Sequence, residues 1–307
     1  MKALETIDIP LFSRTISSIL SEIGIEALYH GNVDDADAEL AKTTILRLMQ
    51  RSANNMGGLP KKKHPAQFVM KMPPSMTETL IIPNKDPTDP NTAVEVYFQI
   101  GKDNTTERVL TDLLTEIMYE PLFDQIRTKD QFGYHVSCDS RWTNGVLGMH
   151  FQVVTSSKSA QDAADRVEKF LRDFRTVLHE MTSEAFMEHL VGLAKQKLDM
   201  FDSLSDETNH LWSEIRDGRY CWQVDREEVL CLRTMTKEQV LAAYDKWLYP
   251  DTKSGRRMLV IQVISSCEGP ASQGRPDVAP EAIGDFIDGC VENFHKQCKH
   301  QTFGKIY

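Results

Sequence analysis

The stretch from Glu120 to Val136, E-P-L-F-D-Q-I-R-T-K-D-Q-F-G-Y-H-V, restricts this chain more than any other. Leu110, Leu113, Leu114 and Ile117 recur at helical spacing and run into it, and Phe132-Gly133-Tyr134-His135-Val136 leaves it as a strand. The backbone must turn from helix to strand here, and the turn needs Gly133. That corner brings Arg127 and Tyr134, seven residues apart, over one patch of space. Arg offers a planar fork of donors for carbonyls or carboxylates, and Tyr offers a hydroxyl that can donate to a developing oxyanion. A plainer reading stands beside this one: Arg127 pairs with Asp124 or Asp130, and Tyr134 is an edge-strand residue. Phe132 and Val136 alternate with Tyr134 and are read either as a substrate wall or as strand core.

The rest of the chain supplies a framework for the corner. Residues 9–24 and 34–51 read as helices, the first with an apolar stripe at Ile9, Phe12, Ile16 and Ile19, the second with Ile45, Leu46, Leu48 and Met49 turned inward. Between them Ile25 to His30 reads as a short strand closed by Gly31-Asn32. Gly, Pro and a lysine run then mark a linker over 58–65. Strands are expected at 79–83, 93–100, 132–139, 146–154 and 258–264, with Asn144-Gly145 as a hairpin turn. Helices are expected from Thr105 or Thr106, as the N-cap, into the corner, then at 158–180, 183–203, 205–217 and 225–233, and from Thr236, where Thr236 and Gln239 form a capping box. Two strands, a helix, a strand hairpin, a run of helices and a last strand predict an α+β fold with a mainly antiparallel sheet and helices packed on one face. Residues 66–265 form that domain, 266–307 a tail packing on a neighbour, and 1–57 the end of a preceding domain whose lone strand lacks a sheet.

Charge and thiols narrow the function class. A net charge of −10 speaks against nucleic acid as a partner, because a phosphate backbone attracts a basic face. No stretch approaches 18 apolar residues, so no membrane-crossing helix is expected. The six cysteines are scattered without a C-x-x-C pair, which suits reduced thiols and a cytoplasmic location.

Several segments together resemble one family. R-T-K-D-Q-F-G-Y-H-V is similar to the R-x-x-x-Q-L-G-Y-x-V signature of the C-terminal, non-catalytic half of insulin-degrading-enzyme-like M16 zinc metallopeptidases, departing only in Phe132. Ile25-Glu26-Ala27-Leu28-Tyr29-His30-Gly31-Asn32 and Met181-Thr182-Ser183-Glu184-Ala185-Phe186 resemble further segments of that half, and the likeness runs from about residue 20 to 265. It implies the LuxS/MPP-like metallohydrolase fold, with residues 1–57 ending a preceding domain of the same type. It also implies that Arg127 and Tyr134 act as auxiliary catalytic residues: Arg127 holds substrate backbone and Tyr134 supports the tetrahedral intermediate. Phe132, by its alternation with Tyr134, is the further candidate substrate contact. The implied partners are an N-terminal catalytic half, which carries Zn²⁺ on an H-x-x-E-H helix, and peptide substrates. A homodimer is a further expectation, from the apolar face on the first 57 residues.

The zinc motif itself is not in this sequence. Glu188-His189 gives the second half of H-x-x-E-H, but Ala185 stands where the first His is needed. His179-Glu180 begins H-E-x-x-H, but Ser183 ends it. No cofactor is therefore assigned to this chain, and alone it should not hydrolyse peptides. The rival reading is a catalytically inactive binding or scaffold module of the same fold. A lysine cluster that some relatives use for anions falls here on Lys195-Gln196-Lys197, followed by acids, which puts that site in doubt.

Overall fold

The computed structural model describes residues 6–21, 25–52, 68–251, 255–279 and 282–298. The linker read at 58–65 lies outside them. The chain divides into two units, one holding the described parts of Met1–Gln67 with Phe201–Tyr220, the other running over Phe68–Met200 and from Cys221 onward.

The first unit is helical: α1 (Ile9–Ser21), α2 (Asp35–Ser52) and α6 (Leu204–Arg216), the last inserted between helices of the other unit along the chain. Residues 25–30 form no strand, contrary to the sequence expectation. A strand exists only through its ladder, and no partner strand is described in this unit. Side chains hold the segment instead: His30 Nδ1 lies 2.8 Å from the Thr208 hydroxyl, and the Tyr220 hydroxyl donates to Glu26 at 2.5 Å. Of the α2 positions expected to face inward, Ile45 is half-buried. Leu46 and Leu48 are exposed, and along α1 so are Phe12, Ile19 and Ile9, the last at 81%.

The second unit is a two-layer α+β fold. Strands β1 (Thr77–Pro83), β2 (Thr92–Lys102), β3 (His135–Thr143), β4 (Val146–Thr155) and β5 (Met258–Ile264) form one sheet in the order β1-β5-β2-β4-β3. Every pairing is antiparallel except β1 with β5. Asn144 and Gly145, at φ of 45° and 77°, make the hairpin turn between β3 and β4, the left-handed pair that matches strand twist. Alternate residues of β2 (Val94, Val96, Phe98) and β5 (Met258, Val260, Ile264) point into the core, where Phe98 meets Phe151 of β4 edge to face.

Helices close that face. α3 (Thr105–Leu122) presents Val109, Leu113, Leu114 and Ile117, and α4 (Ala160–Glu180) presents Val167, Leu171 and Phe174. α5 (Ser183–Leu198), α7 (Val224–Leu232) and α8 (Lys237–Trp247) add to this layer, and both bonds of the Thr236–Gln239 capping box are formed at α8. The cap of α3 is Asn104, not a threonine: its side chain accepts from the Glu107 amide at 3.0 Å. Trp247 of α8 is buried, while Trp212 and Trp222 are exposed. The tail folds as α9 (Ile283–Gln297), tied to β1 by a Gln297–Glu78 hydrogen bond.

Candidate active-site corner

Pro121 sits inside the last turn of α3. It has no N–H for the carbonyl one turn back, and its ring crowds that carbonyl, so the regular ladder cannot continue. The chain goes on as a π-helical turn over Phe123–Lys129. Wide turns of this kind are uncommon and gather at functional sites. The wide spacing shows in the Asp130 amide, which donates to the Gln125 carbonyl at 3.0 Å. Ile126 pins the turn to the core, fully buried.

The reversal into β3 follows at once. Gln131 takes the left-handed conformation, φ 54°, and the Phe132 amide reaches back to the Ile126 carbonyl at 3.0 Å. Gly133 matters for a different reason than expected. Its φ is not positive; a Cβ there would stand 1.9 Å from the Val154 carbonyl oxygen. The glycine lets the corner press against β4, and Gln131 makes the bend.

Arg127 leaves the π-turn toward the corner, where its Nε donates to the Tyr134 carbonyl at 3.2 Å. The guanidinium lies 5.0 Å over the Phe123 ring, and Tyr119 stacks on Phe123 at 6.5 Å, so aromatic-aromatic-guanidinium contacts run along one side of the helix end. Neither acid named in the plainer reading holds Arg127. Asp124 pairs with Lys129 at 2.7 Å, and Asp130 pairs with Arg166 of α4. The terminal nitrogens of Arg127 make no ion pair among the described residues. Tyr134 precedes the strand and is 65% exposed, with no hydrogen bond to its hydroxyl among the described residues. Arg127 and Tyr134 are therefore neighbours at one exposed corner, both with hydrogen-bonding capacity unspent.

Phe132 is half-buried, packed on the core, with the Lys158 ammonium 5.7 Å over its ring. Val136 is buried core. Phe123 stands four positions before Arg127 in the L-F-x-x-I-R run, within reach on a helical stretch.

The histidine motifs come to little. His189 lies 3.8 Å from Glu116, and the His179 carbonyl accepts from Lys237. Among the described residues no group of three or more His, Cys, Asp or Glu is placed to hold a metal ion. No disulfide is formed among the described residues, and burial pushes the Cys138 thiol up to about 12, which keeps it protonated and inert. Lys197 is committed to Asp112 at 2.6 Å and Glu228 at 2.7 Å, so it is not available to an anion.

Comparison with known proteins agrees with this architecture. Residues 113–212 match the family model described as PQQ synthase PqqF-like, C-terminal lobe domain 4. Human insulin-degrading enzyme is 30% identical over 263 residues, 84% of this chain and 25% of that protein. A nardilysin-like protein of Arabidopsis thaliana is 33% identical over 250 residues, 80% of this chain and 24% of its own length. The crystal structure of pitrilysin superposes with a TM-score of 0.65 at 18% identity, covering 80% of this chain and 25% of that one. The chain thus spans about a quarter of the length of the curated relatives it matches.

Proposed function

Because the chain is homologous to the insulin-degrading enzyme and nardilysin members of the M16 peptidases, we propose that it is the C-terminal, non-zinc-binding part of a peptide-degrading metalloendopeptidase. In this reading it forms one side of an enclosed peptide chamber, and a linked N-terminal half forms the other. The observation that carries the proposal is the corner: an Arg127 guanidinium left uncommitted by the neighbouring acids, beside an exposed Tyr134 phenol.

Each group has a defined task. Arg127, held at Nε by the Tyr134 carbonyl, directs its remaining donors at backbone carbonyls of an extended peptide. Fixing the peptide in this way turns the attack on the scissile bond into an effectively unimolecular step. The Tyr134 hydroxyl donates to the oxygen of the scissile carbonyl as it gains charge, an interaction stronger in the transition state than in the bound substrate. Zinc, which lowers the pKa of the attacking water, fits no donor set among the described residues here and is assigned to an H-x-x-E-H helix of the N-terminal half. Assembly of the halves then precedes chemistry, as with a closing lid.

A fluorogenic peptide assay tests this, with the chain alone and then with an N-terminal half carrying H-x-x-E-H. Turnover only in the mixture supports the complementing-half reading. Binding of the halves without turnover shifts the assignment to an inactive scaffold.

A further inference from the structure

We infer that Arg166, on α4, is a positioning residue for the Arg127–Tyr134 corner, acting through Asp130. This rests on the function proposed for that corner.

Asp130 is the first residue after the π-turn and the last before the left-handed Gln131. Both its carboxylate oxygens are engaged: Oδ1 accepts from the Gln125 side chain at 3.1 Å, and Oδ2 accepts from Arg166 Nε. One bond therefore closes the turn on itself, and the other fastens it to a helix of the core layer. The Asp130 amide closes the same ring onto the Gln125 carbonyl.

An open cleft of about 360 Å³ lies between part of the π-turn and α4, lined by Gln125, Asp130, Arg166, Phe170 and Phe174 among others. Ile126 is the one buried side chain of the π-turn, so the outer side of the turn is held by polar contacts. The Asp130–Arg166 ion pair spans the gap, with side chains 26% and 12% exposed. At that burial it is a stiffer tie than a surface pair. Arg127 leaves the turn three residues before Asp130, and Tyr134 leaves the corner four residues after it. Loss of the tie lets both side chains drift together, and a shift of about 1 Å at a reacting geometry costs on the order of a hundredfold in rate.

The test is a double-mutant cycle in the assembled enzyme with a fluorogenic peptide. Arg166→Met is expected to lower kcat by about ten- to a hundredfold with little change in KM, and Arg166→Lys to restore much of it. Placed on the Arg127→Ala, Tyr134→Phe pair, Arg166→Met is expected to cost little more, because both groups it positions have lost their functions. A purely structural role predicts the opposite: the losses multiply, and kcat falls only as the folded fraction does. Either that multiplication or wild-type kcat in Arg166→Met, with Tyr134→Phe still impaired, overturns the inference while leaving the proposed function standing. Wild-type turnover in Tyr134→Phe itself overturns both.

Discussion

Arg127 Nε donates to the backbone carbonyl of Tyr134 at 3.2 Å, so the side chain assigned to grip substrate also pins the residue assigned to the oxyanion. The pair behaves as one element, set by the π-turn on one side and by the close approach of Gly133 to β4 on the other.

Gly133→Ala is expected to lower stability by about 3 kcal/mol, at the upper end of overpacking costs. Its Cβ would fall 1.9 Å from the Val154 oxygen and 2.8 Å from the Val154 carbonyl carbon, and backbone cannot yield as a side chain does. Urea unfolding of the chain checks this, and a midpoint equal to that of wild type would show that the corner stands off β4.

A buried charge network predicts a second loss. Lys197 bridges Asp112 and Glu228, Glu228 also accepts from Arg108, and Arg108 reaches Asp103. Lys197→Met leaves two carboxylates short of a cation and should cost roughly 3 kcal/mol. Burial alone would depress the Lys197 ammonium, but Asp112 and Glu228 outweigh it and hold its pKa above the ordinary value. A pKa raised in the folded state gives stability that is complete below the unfolded value, about 10.4, and fades as pH rises through the folded value. The gap between wild type and variant should therefore be flat through neutral pH and narrow only in strong alkali. Narrowing near pH 7 would contradict the assignment.

Gln262→Leu is expected to stabilise. Gln262 stands in β5 between Ile81 and Val94, 3% exposed, and its side-chain nitrogen has no hydrogen-bond partner among the described residues. Removing an unpaired buried donor should gain about 1 kcal/mol. Calorimetry reads the change directly; a lower melting temperature would mean that this nitrogen is satisfied by water.

Much of this architecture was legible in the sequence, and the failures share a cause. Alternation of apolar residues located all five strands, and Asn144-Gly145 and the Thr236–Gln239 box are local devices whose chemistry is contained in a few residues. Residues 25–30 were misread because strand character needs a partner that sequence pattern cannot supply. The threonine caps lost to Asn104, whose side chain accepts from the Glu107 amide. At the corner, the pairing of Arg127 with Tyr134 was expected, but the π-turn was not, although Pro121 signalled a break in the ladder. The partner of Asp130 was not readable, because Arg166 comes from a helix 36 positions away, whereas Asp124 pairs with Lys129 inside the same turn.

The first unit predicts association. Ile9, Phe12, Ile19, Leu46 and Leu48 are exposed on α1 and α2, more apolar surface than a lone helical segment can carry unaided in water. Sedimentation of the chain should show mass rising with concentration, and Phe12→Ser with Ile9→Ser should suppress it. Monomer at all concentrations would mean that this surface is covered in solution.

The most direct measurement is single-turnover and steady-state cleavage of a fluorogenic peptide by the assembled enzyme carrying Tyr134→Phe. The hydroxyl is exposed and makes no hydrogen bond among the described residues, so folding should be unchanged. A kcat lower by about 100- to 1,000-fold, the loss expected for one oxyanion donor, with an unchanged melting temperature, is the predicted result. Turnover equal to wild type would contradict the assignment of this corner to the reaction.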